Sequence, residues 1–394
     1  MKNTSLKHFI LPLCLATIAL SCVDEYKIPP SLFAKHKQEL VVQGRISGGG
    51  ESVFNLSYTT PLNQDSTENI AHARITVIGS NGYESETAVY DEEQQEYRIN
   101  TRNLQSDEHY AVKIELDGET YQSDFQPMHV SPEIDNITYK EREDGISIHV
   151  TTHNDTDSGK AYMWTYEEDW EFHSSIDIVG IGGIVLYNSY VFQLEGKNPY
   201  LYCWGHQKSR NINIYSTEAL GENKVMEHEL LQIPIDDIRI SYIYSILVKQ
   251  WILSNEAYDY FRQMKLYTEE ANGLFTPIPA EVRGNISCIS NPEIRVHGFV
   301  SASTITEKRI FIYESDFLKL SSEYENCFWM DPAGEGEGWE SAWLDRVNMG
   351  VGVIHTIDGV LDLNSTYYQK ECFDCREVKG STKKRPYFWP NNHE

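Results

Sequence analysis

From Glu39 to Phe125 the chain is built from one repeated device. ELVVQGRIS, SVFNLSYTT, ARITVIGS, EYRINT, YAVKIELDG and ETYQSDF are short runs in which apolar and polar residues alternate. A period of two puts successive side chains on opposite faces, a pattern that a half-buried strand satisfies and a helix does not. Between the runs, SNGY (Ser80–Tyr83) and LDGE (Leu116–Glu119) carry Asn-Gly and Asp-Gly, dipeptides that tolerate the positive φ of tight hairpins. Strands this short and closely spaced predict an immunoglobulin-like or fibronectin-like sandwich over 38–127. FQPMHVSPEID (Phe125–Asp135), with two prolines, reads as the linker leaving it.

The β character continues through 136–394, expected to be a larger β-rich domain. ITYKE, GISIHVTTH, KAYMWTYEEDWEFHSSI and NIYSTE alternate, and SYIYSILVKQWILS (Ser241–Ser254) is apolar enough for a strand buried on both faces. The period changes once. Over 255–272, Ala257, Phe261, Met264, Thr268 and Ala271 fall on one stripe, with Ser254 as N-cap and Gly273 as a stop. The fold class expected is therefore mainly β with one main helix, in keeping with 25 tyrosines and 8 tryptophans.

The first residues do not read as part of that fold. Lys2 and Lys7 precede FILPLCLATIAL (Phe9–Leu20), an apolar run of signal-peptide length and short of the ~20 residues a membrane helix needs. ALSCVDE (19–25) then reads as a bacterial lipobox. Cleavage after Ser21 would start the mature chain at Cys22, whose thiol carries a diacylglycerol, although Ala19 stands where Leu is usual. Residues 1–21 are thus expected to be a lipoprotein signal peptide and 22–37 a tether extended by Pro29-Pro30. The body would be held to membrane lipid through acylated Cys22. Removing 1–21 takes away two lysines and no acid, so a formal charge of −26 becomes −28. A chain so acidic is not expected to bind nucleic acid, which is recognised through clustered Lys and Arg.

Several stretches together carry a resemblance: ELVVQGRIS, MWTYEEDWEF, YIYSILVKQWILSNEAYDYFRQMKLYTEEANGLFTPIPAEVRGNISC, GFVSAS, KRIFIYE and CFDCREVKGSTKKRPYFW. The chain resembles the Bacteroidetes lipoprotein family catalogued as domain of unknown function 4249, over nearly the whole mature length. The resemblance implies an outer-membrane lipoprotein found alongside TonB-dependent receptors. It therefore implies a non-enzymatic accessory or ligand-capture partner of such a transporter, with palmitate on Cys22. Asp24-Glu25, directly after the lipidated cysteine, resemble a surface-export signal, which would turn the protein to the cell exterior.

The chemical candidates are few. Cys203, Cys288, Cys327, Cys372 and Cys375 lie outside the signal and lipid sites; five is odd, so one thiol is expected to stay free. Cys372-x-x-Cys375 lacks the βαβ setting of a redox motif, and Asp374 disfavours a thiolate, so a structural disulfide is expected, between the two or to a distant partner such as Cys327. In YEEDWEF a strand puts Glu167, Asp169 and Glu171 on one face. They are candidates for Ca²⁺ or for the acid and base of glycoside hydrolysis, against a plain solvated strand face. DPAGEGEGWESAW (331–343) offers Trp339 and Trp343 as partner-binding anchors, with Trp164, Trp170, Tyr200, Tyr202, Trp204, Trp329 and Trp389 as further candidates. No G-x-S-x-G, H-E-x-x-H or phosphate loop is present. The expectation is a protein that is not an enzyme and needs no cofactor. The alternatives are a surface hydrolase using the 167–171 carboxylates and a stand-alone adhesin.

Overall fold

The computed structural model describes residues 38–60, 68–156, 159–175, 200–269, 282–317 and 370–390, with short strand segments at 184–187, 190–193, 329–330, 353–354, 356–357, 360–361 and 367–368. The chain is mainly β, as its alternation requires.

The first body is a sandwich. Its strands are β1 (Leu40–Gly48), β2 (Glu51–Tyr58), β3 (Arg74–Gly79), β4 (Val89–Asp91), β5 (Glu96–Asn100), β6 (His109–Leu116), β7 (Glu119–Ser123) and β8 (Gln126–Pro127). One sheet contains β1, β2, β5 and β4, and the facing sheet contains β7, β6, β3 and β8. Alternation decides the inward set: Leu40, Val42 and Ile46 from β1 meet Tyr110, Val112 and Ile114 from β6 in one apolar core. The Asp-Gly turn performs as expected. Asp117 and Gly118 both adopt positive φ (51° and 83°), bringing Leu116 opposite Glu119.

The bounds 38–127 are too narrow for this sandwich. After a second body the chain returns as β18 (Ile286–Cys288), β19 (Val296–His297) and β20 (Val300–Thr304). β18 pairs antiparallel with β7, while β19 and β20 pair parallel with β1. A parallel neighbour needs a crossover, and here the rest of the sandwich and most of a second body intervene. Gly298 marks the passage between β19 and β20; its φ is +126°, and a Cβ there would meet the Val42 carbonyl oxygen at 1.9 Å. The expected exit linker is also structural, for Gln126–Pro127 add to β6 and His129 bridges to Ser303.

The second body comprises β9 (Ile134–Arg142), β10 (Gly145–His153), β11 (Ala161–His173), β12 (Ile184–Tyr187), β13 (Tyr190–Gln193), β14 (Tyr202–Lys208), β15 (Asn213–Ser216), β16 (Lys224–Pro234), β17 (Ile243–Leu253) and β21 (Thr306–Tyr313). β12 and β13 form a hairpin. A sheet ordered β16-β10-β9 packs on one ordered β14-β11-β17-β21, with β15 also paired to β11. Ile146, Ile148, Trp164, Ile246 and Val248 fill the space between them. β17 is buried along nearly all its length, as its apolar run requires.

The helix α1 (Asn255–Thr268) begins where the sequence placed it, with Ser254 Oγ accepting the Ala257 N–H at 3.1 Å. It ends at Thr268, short of the expected 272, with Glu269 as its cap. Among the described residues no helix is long and apolar enough to cross a membrane.

The C-terminal segment wraps round the β14 edge. Cys375 is bonded to Cys203 across 172 residues, and Thr382 exchanges two backbone hydrogen bonds with Trp204. Cys372 is disulfide-bonded as well, so the C-x-x-C motif is not closed on itself. Cys288 remains a free, buried thiol.

Candidate functional site

The densest acidic run lies on β11, the middle of the second body. Strand geometry separates its carboxylates into two sets: Glu168 faces the core between the sheets, while Glu167, Asp169 and Glu171 face the other way. The solvated face that an acidic strand suggests is not what forms. Glu168, Asp169 and Glu171 are only 2 %, 5 % and 0 % exposed. Isolated charges at such depth would cost many kcal/mol, so each must be matched.

Each is matched by a different group. Glu168 accepts from Arg239 Nη1 and the Tyr244 hydroxyl, both at 2.8 Å, and from Gln207 Nε2 at 2.6 Å. Asp169 pairs with His206 Nδ1 at 2.8 Å and accepts from Arg309 Nη1 at 2.9 Å. Glu171 accepts the indole N–H of Trp389 at 2.5 Å, and Glu167 accepts from Lys249 Nζ at 2.7 Å. Burial pushes the Asp169 and Glu167 carboxyls up, but the hydrogen bonds and charges of these partners outweigh it and hold both below the usual range. Asp169 in turn raises His206 through their hydrogen bond. Tyr244, fully buried beside Glu168, is pushed well above its ordinary value by burial first.

These partners bear on both expectations for YEEDWEF. A general acid must hold a proton near neutral pH, and Glu167 and Asp169 are shifted the opposite way. A calcium site needs converging free oxygens. Instead Glu167, Asp169 and Glu171 are drawn to Lys249, to His206 with Arg309, and to Trp389. Among the described residues no three His, Cys, Asp or Glu side chains come together to hold a metal ion.

The aromatic candidates also move inward. Trp164, Trp204 and Trp389 are 0 %, 7 % and 4 % exposed, and Trp170 lies flat over Gly205, where a Cβ would meet its ring at 2.2 Å. Trp164, Trp204 and Trp389 are packing residues, while Trp170 stays half-buried. Trp339 and Trp343 lie outside the described residues, as do Cys22, Asp24 and Glu25.

What the sequence did not single out is a cleft of about 870 Å³ between the first sandwich and β11, lined by Arg45, Glu96, Arg98, Lys208, Lys249 and Glu307. Its floor joins the outer face of β1 to the charged face of the central sheet. Arg98 pairs with Glu96 at 2.5 Å, and Lys249 with both Glu167 and Glu307. A second cavity of about 630 Å³ adjoins it beneath α1, lined by Met163, Trp251, Tyr260, Phe261, Met264 and Phe299. Pockets of this size, with apolar walls and a few placed polar groups, are where small ligands bind. Arg45 was invisible as a candidate because an arginine in an alternating strand reads as an ordinary outward residue.

A family model described as a domain of unknown function, DUF4249, matches residues 23–309. No curated protein matches the chain.

Proposed function

The chain belongs to the DUF4249 family, and from that premise we propose that it works as a non-enzymatic, ligand-capturing accessory of a TonB-dependent transporter. In this reading it is a Bacteroidetes lipoprotein of the outer membrane, anchored through acylated Cys22 and turned outward by Asp24-Glu25. The observation that carries the reading is the fate of YEEDWEF. The carboxylates expected as candidates for hydrolysis are engaged by Arg239, Lys249, Arg309, His206 and Trp389, while the adjacent cleft keeps polar groups of both signs on its walls. Binding, more than bond cleavage, is the use that such an arrangement supports.

Two measurements test it. Solubilisation in mild detergent should recover the protein together with a β-barrel receptor; recovery free of any such receptor would remove the transporter from the proposal. Cys22→Ser should shift the protein out of the membrane fraction, and persistence there would overturn the anchor.

A further inference from the structure

Arg45 sits on the outer face of β1, opposite Val53 of β2 and Ser301 of β20. Its guanidinium stacks on Trp251, with Cζ 4.3 Å from the ring centroid. Among the described residues it makes no hydrogen bond and no ion pair, and its Nε is shielded from solvent without a partner. The acids nearest to it are already engaged, Glu167 and Glu307 by Lys249 and Glu96 by Arg98. Burial lowers the Arg45 pKa more than Glu307, Glu96 and Glu167 raise it. A guanidinium nevertheless stays protonated, so the free protein holds a half-buried cation with unused donors, its Nε shielded from solvent.

Its position gives that cation a use. Arg45 and Thr165 line both cavities, so they form the boundary between the polar cleft and the apolar compartment under α1. A ligand that placed an anion on Arg45 could extend an apolar group toward Trp251, Phe261, Met264 and Phe299. The rest of it would lie along Lys208, Lys249 and the Gly48-Gly49-Gly50 turn. The planar fork of an arginine matches a carboxylate in a bidentate way.

We propose that Arg45 is the anion-recognition residue of a composite site for a free carboxylate carrying an apolar group, the carboxylate on the guanidinium and the apolar group beneath α1. This deepens the ligand-capture reading above and rests on it. A peptide ending in an apolar residue and a fatty acid share this chemistry. The mixed-sign cleft beyond Arg45 would hold the backbone of the first and is left unused by the second.

The test is calorimetric titration of the purified full chain with three probes: acetyl-Ala-Phe as the free acid, the same dipeptide as its C-terminal amide, and octanoate. The free acid should bind, and its amide should bind at least about tenfold more weakly, since a charge-assisted pair is lost. Arg45→Gln should weaken the acid by a similar factor and leave the amide unchanged, with Arg45→Lys in between. Because Arg45→Gln deletes a half-buried charge that has no counter-ion, its melting temperature should be close to that of the parent. Met264→Glu, on the partly exposed helix side, should weaken acid probes by placing an anion in the apolar compartment. Octanoate binding as tight as the dipeptide assigns the site to fatty acids, and weaker octanoate binding assigns it to peptide ends. Equal binding of acid and amide, undiminished binding by Arg45→Gln, or no binding of either acid would overturn the proposal. No transporter is present in this titration, so its failure is separable from failure of receptor co-purification.

Discussion

In β6 of the first sandwich the inward residues are Tyr110, Val112, Ile114 and Leu116; in β11 of the second body the buried set includes Glu168, Asp169 and Glu171. Both strands have the same period and the same backbone geometry. They differ in what completes them. The sandwich strand meets apolar partners, so its stability scales with the area withdrawn from water. The carboxylates of β11 need a counter-group for each charge, and those come from β14, β17, β21, the 3-10 turn at Ile238–Ile240 and the C-terminal segment. Buried charge therefore ties distant parts of the chain to one strand, and removal of one member harms more than removal of the pair.

The largest expected effect breaks that comparison open. Glu168→Ala leaves the buried Tyr244 hydroxyl and Gln207 without their acceptor and Arg239 with Asp237 alone, and should cost about 3–5 kcal/mol in urea unfolding. Phe54→Ala, at a fully buried position of the first core, should cost about the same through its cavity. The two should separate on compensation: Glu168→Gln combined with Arg239→Met should recover most of the loss, whereas no second change on a single partner would rescue Phe54→Ala. If the double variant is no better than Glu168→Ala, the charged core does not work as pairs.

The next effect concerns the strap that exists only on the second body. Cys375→Ser opens the bridge to Cys203, which spans 172 residues, and should cost about 2–4 kcal/mol. Proteolysis would be expected to trim the chain beyond 375 in this variant before it touches the first sandwich, and uniform degradation would argue against a local role.

The smallest effect is one of pH. His228 is stacked on Trp164 with centroids 5.1 Å apart, and burial pushes its pKa down to about 4. Because the folded value lies below the unfolded one of about 6.5, the unfolded chain binds more protons between the two. Stability should therefore be lost as pH falls below about 6.5, by about 2 kcal/mol at pH 5. Denaturant midpoints measured from pH 7 to 5 should show this slope, and His228→Phe should flatten it. An unchanged slope in that variant would place the acid sensitivity elsewhere.

Much of the fold was legible. β6 alternates cleanly, the Asp117-Gly118 turn has its φ > 0 residues, β17 is apolar throughout, and Ser254 caps α1, all of which are local signals. The candidate site was much less so. YEEDWEF read as a solvated face because pattern alone does not reveal that Arg309 and Trp389, 140 and 218 residues away, close over it. Trp164, Trp204 and Trp389 read equally well as surface or core for the same reason.

By itself the sequence determined the strand-forming runs, their turns, the helix and its cap, because each depends on residues within a few positions of one another. Only the tertiary structure decided that β18, β19 and β20 complete the first sandwich, that Cys375 seeks Cys203 rather than Cys372, and that Arg45 is left without a counter-ion at the junction of two cavities. Those outcomes turn on which distant groups arrive beside each other, and burial, with its penalty for an unmatched charge, is a property of that arrangement and not of any local stretch.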